Sequence, residues 1–325
     1  MNFSNRRTGW GGREVSSPRL SEVYVAADRI DDVVVSTPVV LFNGDSGTEG
    51  IYLKPEILQA TGSFKIRGVY NWALSIPDSQ VKKGLSTASA GNTAIALGYV
   101  ANLLGTKAHS VLPDSVPEAK LKSLLKYKVE PQPMPLGEVL SYMLEEKWRE
   151  ADYNYLNPWG DPSMIAGHGT IGLEIMEQLH GVETIYIPVG GGGLIAGVGS
   201  AIKMINPSVQ IIGVQSESCP TLHSSFRECH PVWVNVQSTI CDGTAVPLIV
   251  DEMFPLLRDV IDDVHIVSEM AVLDAMEMLI RNNGFVVEGS GALSLAAALE
   301  TPYSSRGKSV CLLTGKNRDG FKKAT

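Results

Sequence analysis

A single lysine stands among small residues in the stretch Ala60-Thr61-Gly62-Ser63-Phe64-Lys65-Ile66-Arg67-Gly68. The small residues leave space around the side chain of Lys65, and Phe64 gives it one apolar neighbour. Because an apolar cleft lowers the pKa of an amine, such a lysine can act as a nucleophile near neutral pH. The alternative is a solvated lysine in the first turn of a helix, and the stretch alone does not exclude it.

A glycine run, Gly190-Gly191-Gly192-Gly193-Leu194, lies between a predicted strand at 185–189 and a predicted helix at 194–205. Glycines between a strand and a helix let backbone N–H groups close on an anion at the helix N-terminus. The run therefore predicts a phosphate site. A lysine nucleophile and a phosphate cradle are what an enzyme that uses pyridoxal 5'-phosphate requires.

The same glycines also satisfy a relaxed dinucleotide-binding fingerprint, Gly191-x-Gly193-x-x-Ala196. Glu217 lies about 20 residues further on, near the end of the next predicted strand, as that fingerprint requires. An NAD-dependent oxidoreductase is therefore an alternative from a different class of enzyme. A non-catalytic binding protein that has kept the fold is a third possibility.

The bulk composition limits the class of partner. A chain of 325 residues is long for one hydrophobic core, so two domains are expected. Its net charge of −8 argues against nucleic acid, which requires a basic face, and favours a small-molecule substrate. No apolar run approaches the ~20 residues of a membrane helix, and the N-terminus carries no secretion signal, so we expect no membrane partner and a cytoplasmic location.

Familiar catalytic motifs of other classes are missing from the sequence. There is no G-x-S-x-G elbow, no H-E-x-x-H and no P-loop, so serine hydrolases and zinc peptidases have no support. The four cysteines are expected to be free thiols. The spacing of cysteine and histidine matches no familiar zinc pattern, and we predict no metal site.

Strand and helix patterns alternate in two blocks that meet near residues 150–155. This alternation predicts an α/β fold of two open parallel-sheet domains with flanking helices. The ligand is expected in the interdomain cleft, at the carboxyl ends of the strands. The first twenty residues are predicted to form a mobile arm, because they contain glycines and a proline but no periodic pattern.

Three further turns carry polar groups at predicted helix or strand ends. Ser89-Ala90-Gly91-Asn92-Thr93 precedes a helix, where free N–H groups suit a carboxylate and Asn92 can donate to a phenolic oxygen. A simple N-cap explains this turn as well. The turns that contain Glu288 and Thr314 are a cap and a strand end when each is taken alone.

Set together in this order, the segments resemble the fold type II (tryptophan synthase β-like) pyridoxal phosphate enzymes, and most closely the threonine/serine dehydratases. The resemblance covers residues 22–315. It implies a large cofactor-binding domain, formed by 1–53 and 152–325, and a small substrate-side domain at 54–151. The segments most typical of dehydratases are Asn157-Pro158-Trp159, Ile165-Ala166-Gly167-His168-Gly169-Thr170 and Asp242-Gly243-Thr244-Ala245-Val246.

The resemblance also implies a role for each candidate site residue. Lys65 would hold the cofactor as a Schiff base and then act as the base at Cα of the substrate, with Phe64 packed beside the ring. Asn92 would hydrogen-bond the phenolic oxygen, Thr314 would face the ring nitrogen and Glu288 would support the phenolic side. The phosphate would be bound by Gly190, Gly191, Gly192, Gly193 and Leu194. The substrate carboxylate would be bound by Ser89, Ala90, Gly91, Asn92 and Thr93.

The implied reaction is β-elimination of a β-hydroxy amino acid such as L-threonine or L-serine to a 2-oxo acid and ammonia, by a homodimer. A β- or γ-replacement synthase of the same fold is the alternative, because Asn92-Thr93 resembles the turn of the synthases. Racemisation is disfavoured, since serine racemases carry a second serine where Ala90 stands. Gln215 replaces a glutamate that binds a divalent cation in many relatives, which argues against a metal there.

Overall fold

The computed structural model describes residues 9–317, in which ten strands form two separate sheets. The strands are β1 (Val40–Leu41), β2 (Ile51–Pro55), β3 (Leu85–Ala88), β4 (Ala108–Pro113), β5 (Val129–Met134), β6 (Asn154–Leu156), β7 (Thr184–Pro188), β8 (Gln210–Ser216), β9 (Asp263–Val267) and β10 (Ser309–Leu313). The helices are α1 (Leu20–Ile30), α2 (Lys65–Ser75), α3 (Asp78–Val81), α4 (Asn92–Leu103), α5 (Glu118–Lys126), α6 (Leu136–Leu144), α7 (Pro162–Gln178), α8 (Gly193–Ile205), α9 (Thr221–Glu228), α10 (Phe254–Val260), α11 (Glu269–Asn283), α12 (Gly289–Glu300) and α13 (Tyr303–Arg306).

The larger sheet has the strand order β1-β2-β10-β7-β8-β9, and β1 alone runs antiparallel to its neighbour. Every residue of the central strand β7 is buried. Ile185 and Ile187 pack into the core with α7, α8 and α10, whereas Tyr186 packs against α11 and α12 on the opposite face. A strand covered on both faces has a continuous apolar run rather than an alternating one, as the sequence of β7 does.

The smaller sheet has the order β5-β4-β3-β6, and all its strands are parallel. Residues of α2 and α4 form the core on one face, and α6 covers part of the other. The predicted fold class, α/β with two open parallel sheets and flanking helices, is confirmed. Strand β6 follows the boundary predicted between residues 151 and 152, yet it pairs with β3 in this smaller sheet. The division into domains at that boundary stays a prediction.

The segment at 9–18 is anchored to the fold, which corrects the expectation of a mobile arm for the part of it that the structure describes. The backbone N–H of Val15 donates to the carbonyl oxygen of Glu252 at 2.8 Å, and the N–H of Gly11 donates to the carboxylate of the same residue at 2.7 Å. Val15 is buried in the main core. No local pattern signals this anchoring, because Glu252 lies about 240 residues further along the chain.

The carboxyl ends of the strands in both sheets open onto one cavity. Its walls include the last residues of three strands, namely Ala88 of β3, Pro113 of β4 and Pro188 of β7. Thr314, which follows β10 directly, also lines it. Parallel strands therefore bring segments distant in sequence to one site, as open α/β sheets commonly do. None of the helices within residues 9–317 combines the length and the apolar character that crossing a membrane requires.

Candidate active site

One cavity of about 380 Å³ is lined by every residue that the sequence singled out as a site residue. The lysine of α2, the turn before α4, the glycine run before α8, and the residues Glu288 and Thr314 meet there. The segments come from both sheets and extend in sequence from Phe64 to Thr314. The structure thus brings the predicted site together, while the role of each residue stays a prediction.

Lys65 is the first residue of α2 and lies at the edge of the cavity, partly buried. Its Nζ lies 4.9 Å from the centroid of the Phe64 ring, and Phe64 in turn packs edge-on against the His168 ring at 4.8 Å. Burial lowers the pKa of the Lys65 amine to about 8, although the Glu288 carboxylate opposes this shift. A useful fraction of the amine is therefore uncharged near neutral pH, and an uncharged amine is a nucleophile.

The lowered pKa of Lys65 predicts the pH dependence of its reactivity. In full-length protein freed of cofactor, the rate at which pyridoxal can be trapped on Lys65 should rise about tenfold per pH unit below 8 and level off above it. The uncharged amine is the reactive form, so reactivity increases as pH rises through the pKa. Borohydride quenching at short times followed by peptide mapping measures the rate, with Nα-acetyl-lysine as the reference amine. A midpoint near the ordinary lysine value of 10.5 would contradict this prediction.

The glycine run forms a turn that leaves no room for a side chain at Gly191, Gly192 or Gly193. Gly192 has φ of +94°, a left-handed conformation that favours glycine, and α8 begins at the next residue. A Cβ at Gly191 would lie 2.3 Å from Cδ1 of Trp159, and a Cβ at Gly193 would lie 2.6 Å from the carbonyl oxygen of Trp159. The turn is therefore a backbone cradle at the N-terminus of a 13-residue helix, which suits an anion. The residues present fit the phosphate of pyridoxal phosphate.

Replacing Gly191 with alanine should weaken the binding of pyridoxal phosphate. The new Cβ would overlap the inner atoms of the Trp159 indole, which cannot swing aside as the end of a flexible chain can. Overpacking costs about 1–3 kcal/mol, so the affinity should fall roughly ten- to 100-fold. Absorbance titration of the cofactor-free protein measures it. Gly199→Ala, within the helix α8 that follows the glycine run, is the matched control, because Gly199 faces Val260 and does not line the cavity. The affinity of this variant for pyridoxal phosphate should stay near that of the unchanged protein.

Asn92 is held by two polar neighbours on the other side of the cavity. Its Nδ2 donates to Oε1 of Glu288 at 2.8 Å, and its Oδ1 accepts from Nδ2 of Asn317 at 2.7 Å. These two bonds fix which way the amide points. Burial and, to a smaller extent, the nearby Asp242 carboxylate raise the pKa of Glu288 to about 7, while the hydrogen bond from Asn92 opposes the rise. Glu288 is therefore close to half-protonated near neutral pH.

Thr314 ties the end of β10 to the segment that carries the lysine. Its carbonyl oxygen accepts the backbone N–H of Phe64 at 3.1 Å, and Ser63 pairs with Gly315 in an isolated antiparallel bridge. The hydroxyl of Thr314 is buried and lies 3.4 Å from the carbonyl oxygen of Ser290. A neutral hydroxyl is thus the group that Thr314 offers at this end of the cavity.

The turn at 89–93 is braced from the neighbouring strand. Ser110 of β4 donates its hydroxyl to the carbonyl oxygen of Ser89 at 2.6 Å and accepts the backbone N–H of Ser89 at 3.2 Å. The N–H of Gly91 donates to Oγ of Ser89, and α4 begins at Asn92. The turn and the first two residues of this 12-residue helix line the cavity, and the N-terminus of a helix suits a carboxylate. Ser110 was not found from the sequence, because a serine inside an apolar strand carries no signal of its own.

Lys120 and Asp242 also line the cavity. The sequence did not single out Lys120, and it named Asp242 only as part of a segment typical of dehydratases, without a role at the site. Their side chains form an ion pair that joins α5, beside the smaller sheet, to the short 3₁₀ helix Asp242–Thr244 beside the larger one. Lys120 shares α5 with Glu118 and Lys122, which form a solvent-exposed pair, so the helix resembles an ordinary charged surface. Only the tertiary structure shows that this lysine faces the site.

A cluster of four charged side chains, of which only that of Glu174 is partly exposed, includes Arg67 of the helix that begins at Lys65. Arg67 donates to Glu56 at 2.7 Å and to Glu174 at 2.6 Å, and Nζ of Lys54 contacts Glu174 at 2.6 Å. The side chains of Arg67 and Glu56 are almost completely buried. Burial by itself would lower the pKa of Arg67, but the two carboxylates outweigh it and raise that pKa. The cluster fixes the first turn of α2, on which Lys65 stands, against β2 and α7.

Other groups named from the sequence have structural partners. Oε1 of Gln215 accepts the backbone N–H groups of Leu222 and His223 at 2.8 Å and 3.1 Å, so this side chain caps α9. Within residues 9–317, no group of three or more histidine, cysteine or acidic side chains is arranged to hold a metal ion. The cysteines are free thiols, and those at 219, 241 and 311 are buried.

Comparison with known families gives a match over most of the chain. The family model described as "Pyridoxal-phosphate dependent enzyme" matches residues 30–315. The lysine segment, the glycine run and Thr314 all lie inside the matched region. The alternative of a dinucleotide site at the glycine run loses its support, because the family to which these residues match uses a different cofactor.

The relatives and solved structures to which the chain is similar include enzymes named for reactions of threonine and serine. The chain is 39% identical over 302 residues to an L-threonine ammonia-lyase of Geobacter sulfurreducens (strain ATCC 51573 / DSM 12127 / PCA), covering 91% of this chain and 75% of that protein. It is 37% identical over 274 residues to the catabolic L-threonine dehydratase TdcB of Escherichia coli (strain K12), covering 83% of each. Among solved structures, the processed form of threonine deaminase isoform 2 from Solanum lycopersicum superposes with a TM-score of 0.84 at 32% identity, covering 97% of this chain and 93% of that one. Maize serine racemase superposes with a TM-score of 0.84 at 31% identity, covering 93% and 94%.

Proposed function

The chain belongs to the family of pyridoxal-phosphate-dependent enzymes, and we propose that it is a lyase that removes the β-hydroxyl group of L-threonine or L-serine. The products are a 2-oxo acid and ammonia. The observation that carries this proposal is that an amine of lowered pKa, a glycine turn at the N-terminus of α8 and the turn at 89–93 before α4 line a single cavity. The named relatives at 37–39% identity support the same reaction.

The residues of the cavity supply separate parts of the binding site. The backbone N–H groups of the glycine run and of Leu194 would hold the phosphate, and Phe64 would pack against the ring. The amide of Asn92, fixed by Glu288, would donate to the phenolic oxygen. The hydroxyl of Thr314 would face the ring nitrogen. When bound, pyridoxal phosphate supplies the electron sink that stabilises negative charge at Cα of an amino acid.

Lys65 would take the proton from Cα of the substrate. Its pKa of about 8 leaves an uncharged fraction that can accept a proton near neutral pH. The turn from Ser89 to Thr93 would bind the substrate carboxylate through its backbone N–H groups and so orient Cα toward the amine. Ala90 in this turn carries no group that could return a proton from the opposite face, which favours elimination over racemisation.

A panel of β-hydroxy amino acids tests the proposal. We expect L-threonine or L-serine to give a 2-oxo acid and ammonia without any second substrate, measured by coupled reduction of the 2-oxo acid and by ammonia assay. Strict dependence on an added nucleophile would instead indicate a β- or γ-replacement synthase. Binding of the cofactor with no turnover of any amino acid would indicate a binding protein that keeps the fold.

The organisation of the enzyme is part of the same proposal. We propose a homodimer in the cytoplasm, with a large cofactor-binding domain at 1–53 and 152–325 and a small domain at 54–151. Exposed apolar side chains on α11, among them Met270 and Ile280, supply surface that a second copy could bury. Light scattering of the purified holoenzyme and cell fractionation test these points, and a monomeric mass or a membrane-bound fraction would reject them.

A further inference from the structure

The glycine-rich segment at 9–12 wraps around the carboxylate of Glu252. The backbone N–H groups of Trp10, Gly11 and Gly12 donate to that carboxylate at 3.3, 2.7 and 3.1 Å. Gly11 has φ of +73°, and a Cβ at Gly9 would lie 2.5 Å from Oε2 of Glu252. Successive N–H groups that point at one anion form a backbone nest, here filled by a carboxylate that is only 5% exposed. The nest explains why this segment is rich in glycine.

The nest places the indole of Trp10 against the loop that precedes α7. A Cβ at Gly160 would lie 2.6 Å from Cη2 of Trp10 and 3.3 Å from Sδ of Met253, so both side chains press on this glycine. Asn157 holds the same loop from inside, because its Oδ1 accepts the backbone N–H groups of Trp159 and Gly160 at 3.0 and 3.2 Å. The position of Trp159 is therefore fixed from two sides.

Trp159 is the wall of the glycine cradle. Its indole occupies the space where Gly191 would carry a side chain, and its carbonyl oxygen occupies the corresponding space at Gly193. Trp159 also lines the cavity itself. A continuous series of contacts thus leads from Glu252, through Trp10 and the loop at 157–160, to the backbone that would hold the phosphate.

We infer that Glu252 and Trp10 are positioning residues that hold Trp159 against the glycine cradle and so set the affinity for the phosphate group of the cofactor. The inference rests on the proposed function, since it assigns the cradle to a phosphate. Hydrogen bonds to a charged carboxylate are about twice as strong as neutral ones. A glutamine at position 252 would lose the charge and replace one accepting oxygen by an NH₂ group, which leaves an N–H group of the nest unpaired.

The test compares two ligands on the Glu252→Gln variant. Full-length protein freed of cofactor is titrated with pyridoxal phosphate and, separately, with pyridoxal, and the absorbance of the bound form is followed. We expect the variant to bind pyridoxal phosphate about tenfold more weakly, which corresponds to about 1.4 kcal/mol. Its affinity for pyridoxal should match that of the unchanged protein, because pyridoxal has no phosphate to place in the cradle.

Two further variants separate positioning from general loss of stability. Asp262→Asn is the matched control: Asp262 also accepts a backbone N–H, from Ile211 at 2.7 Å, but at the amino ends of the strands. It should keep the affinity for pyridoxal phosphate. Trp10→Leu leaves the nest intact and should weaken the binding of pyridoxal phosphate to the same extent as Glu252→Gln does. The test can therefore still be made if the Glu252→Gln variant does not fold.

Three outcomes would overturn the inference. Unchanged affinity for pyridoxal phosphate in the folded Glu252 or Trp10 variant is the first. The second is that the Glu252 or Trp10 variant binds pyridoxal and pyridoxal phosphate more weakly by the same factor. The third is that Asp262→Asn lowers the affinity for pyridoxal phosphate as much as these variants do. Failure of the unchanged protein to bind pyridoxal phosphate would be a different result, since it would reject the proposed function itself.

Discussion

Replacing Lys65 with alanine is expected to abolish the visible absorbance band of the holoenzyme and its formation of 2-oxo acid from L-threonine. No other group at this position can bind the cofactor covalently and also accept the Cα proton. Positioned proton transfer alone contributes about 10²–10⁴-fold to a rate, so the loss in kcat should be at least about 10²-fold. Absorbance spectra and a coupled 2-oxo acid assay measure both effects.

Lys120→Met is the control for this experiment, because Lys120 is a second lysine that lines the same cavity. This variant should keep the absorbance band, and borohydride should still fix the cofactor to the peptide that contains Lys65. A band that survives in Lys65→Ala, or a modified peptide that maps to Lys120, would contradict the assignment of the lysine. Methylamine added to Lys65→Ala serves as a further check, since a restored rate would indicate a missing amine rather than a disturbed fold.

Replacing Arg67 with methionine is expected to destabilise the fold more than any surface change. The variant leaves the buried carboxylate of Glu56 without the cation that holds its pKa below the usual range, and it removes two contacts from Glu174. Removing one partner of a buried pair costs about 3–5 kcal/mol. Since whole domains are stable by only about 5–15 kcal/mol, the midpoint of urea unfolding should fall sharply. Circular dichroism at increasing urea measures that midpoint.

An exposed ion pair provides the comparison for Arg67. Arg19 pairs with Glu22 at 2.8 Å, but the Arg19 side chain is 79% exposed. Solvent screens such a pair, and Arg19→Met should leave the urea midpoint almost unchanged. A similar shift in both variants would show that the buried cluster is not what fixes α2, and the structural account of the lysine segment would have to change.

Local sequence signals predicted most of the larger elements. The helix expected at 194–205 is α8 (Gly193–Ile205), and the strand expected at 185–189 is β7 (Thr184–Pro188). The sequence pattern also predicts a helix at 170–179, whereas the helix in the structure, α7, begins at Pro162 because Asp161 caps it by accepting the N–H groups of Ser163 and Met164. Aspartate followed by proline is a start signal that the prediction for this helix did not use. Helices α6, α9 and α10 were not predicted, since their apolar stretches are short.

The candidate site was predictable where a residue type is itself unusual. A lysine between glycines and four consecutive glycines have few structural explanations, so both segments were found, and the family and the cofactor that they indicated are confirmed by the family match. Lys120 carries no such local signal, and only the folded chain shows that it lines the cavity together with Asp242 and Trp159, which the sequence named without a role at the site. The anchoring of the segment at 9–12 by Glu252 was missed for the same reason.

The sequence by itself determined the family, the two parallel sheets and the segments that are proposed to carry the chemistry, because alternating apolar runs and glycines act over short distances along the chain. The tertiary structure alone decided which of these segments meet in one cavity. It also decided the pKa of Lys65, about 8, and that of Glu288, about 7, because burial and the distance between charges exist only in the folded chain. The same reason applies to Trp159, whose contacts make glycine necessary at positions 191 and 193.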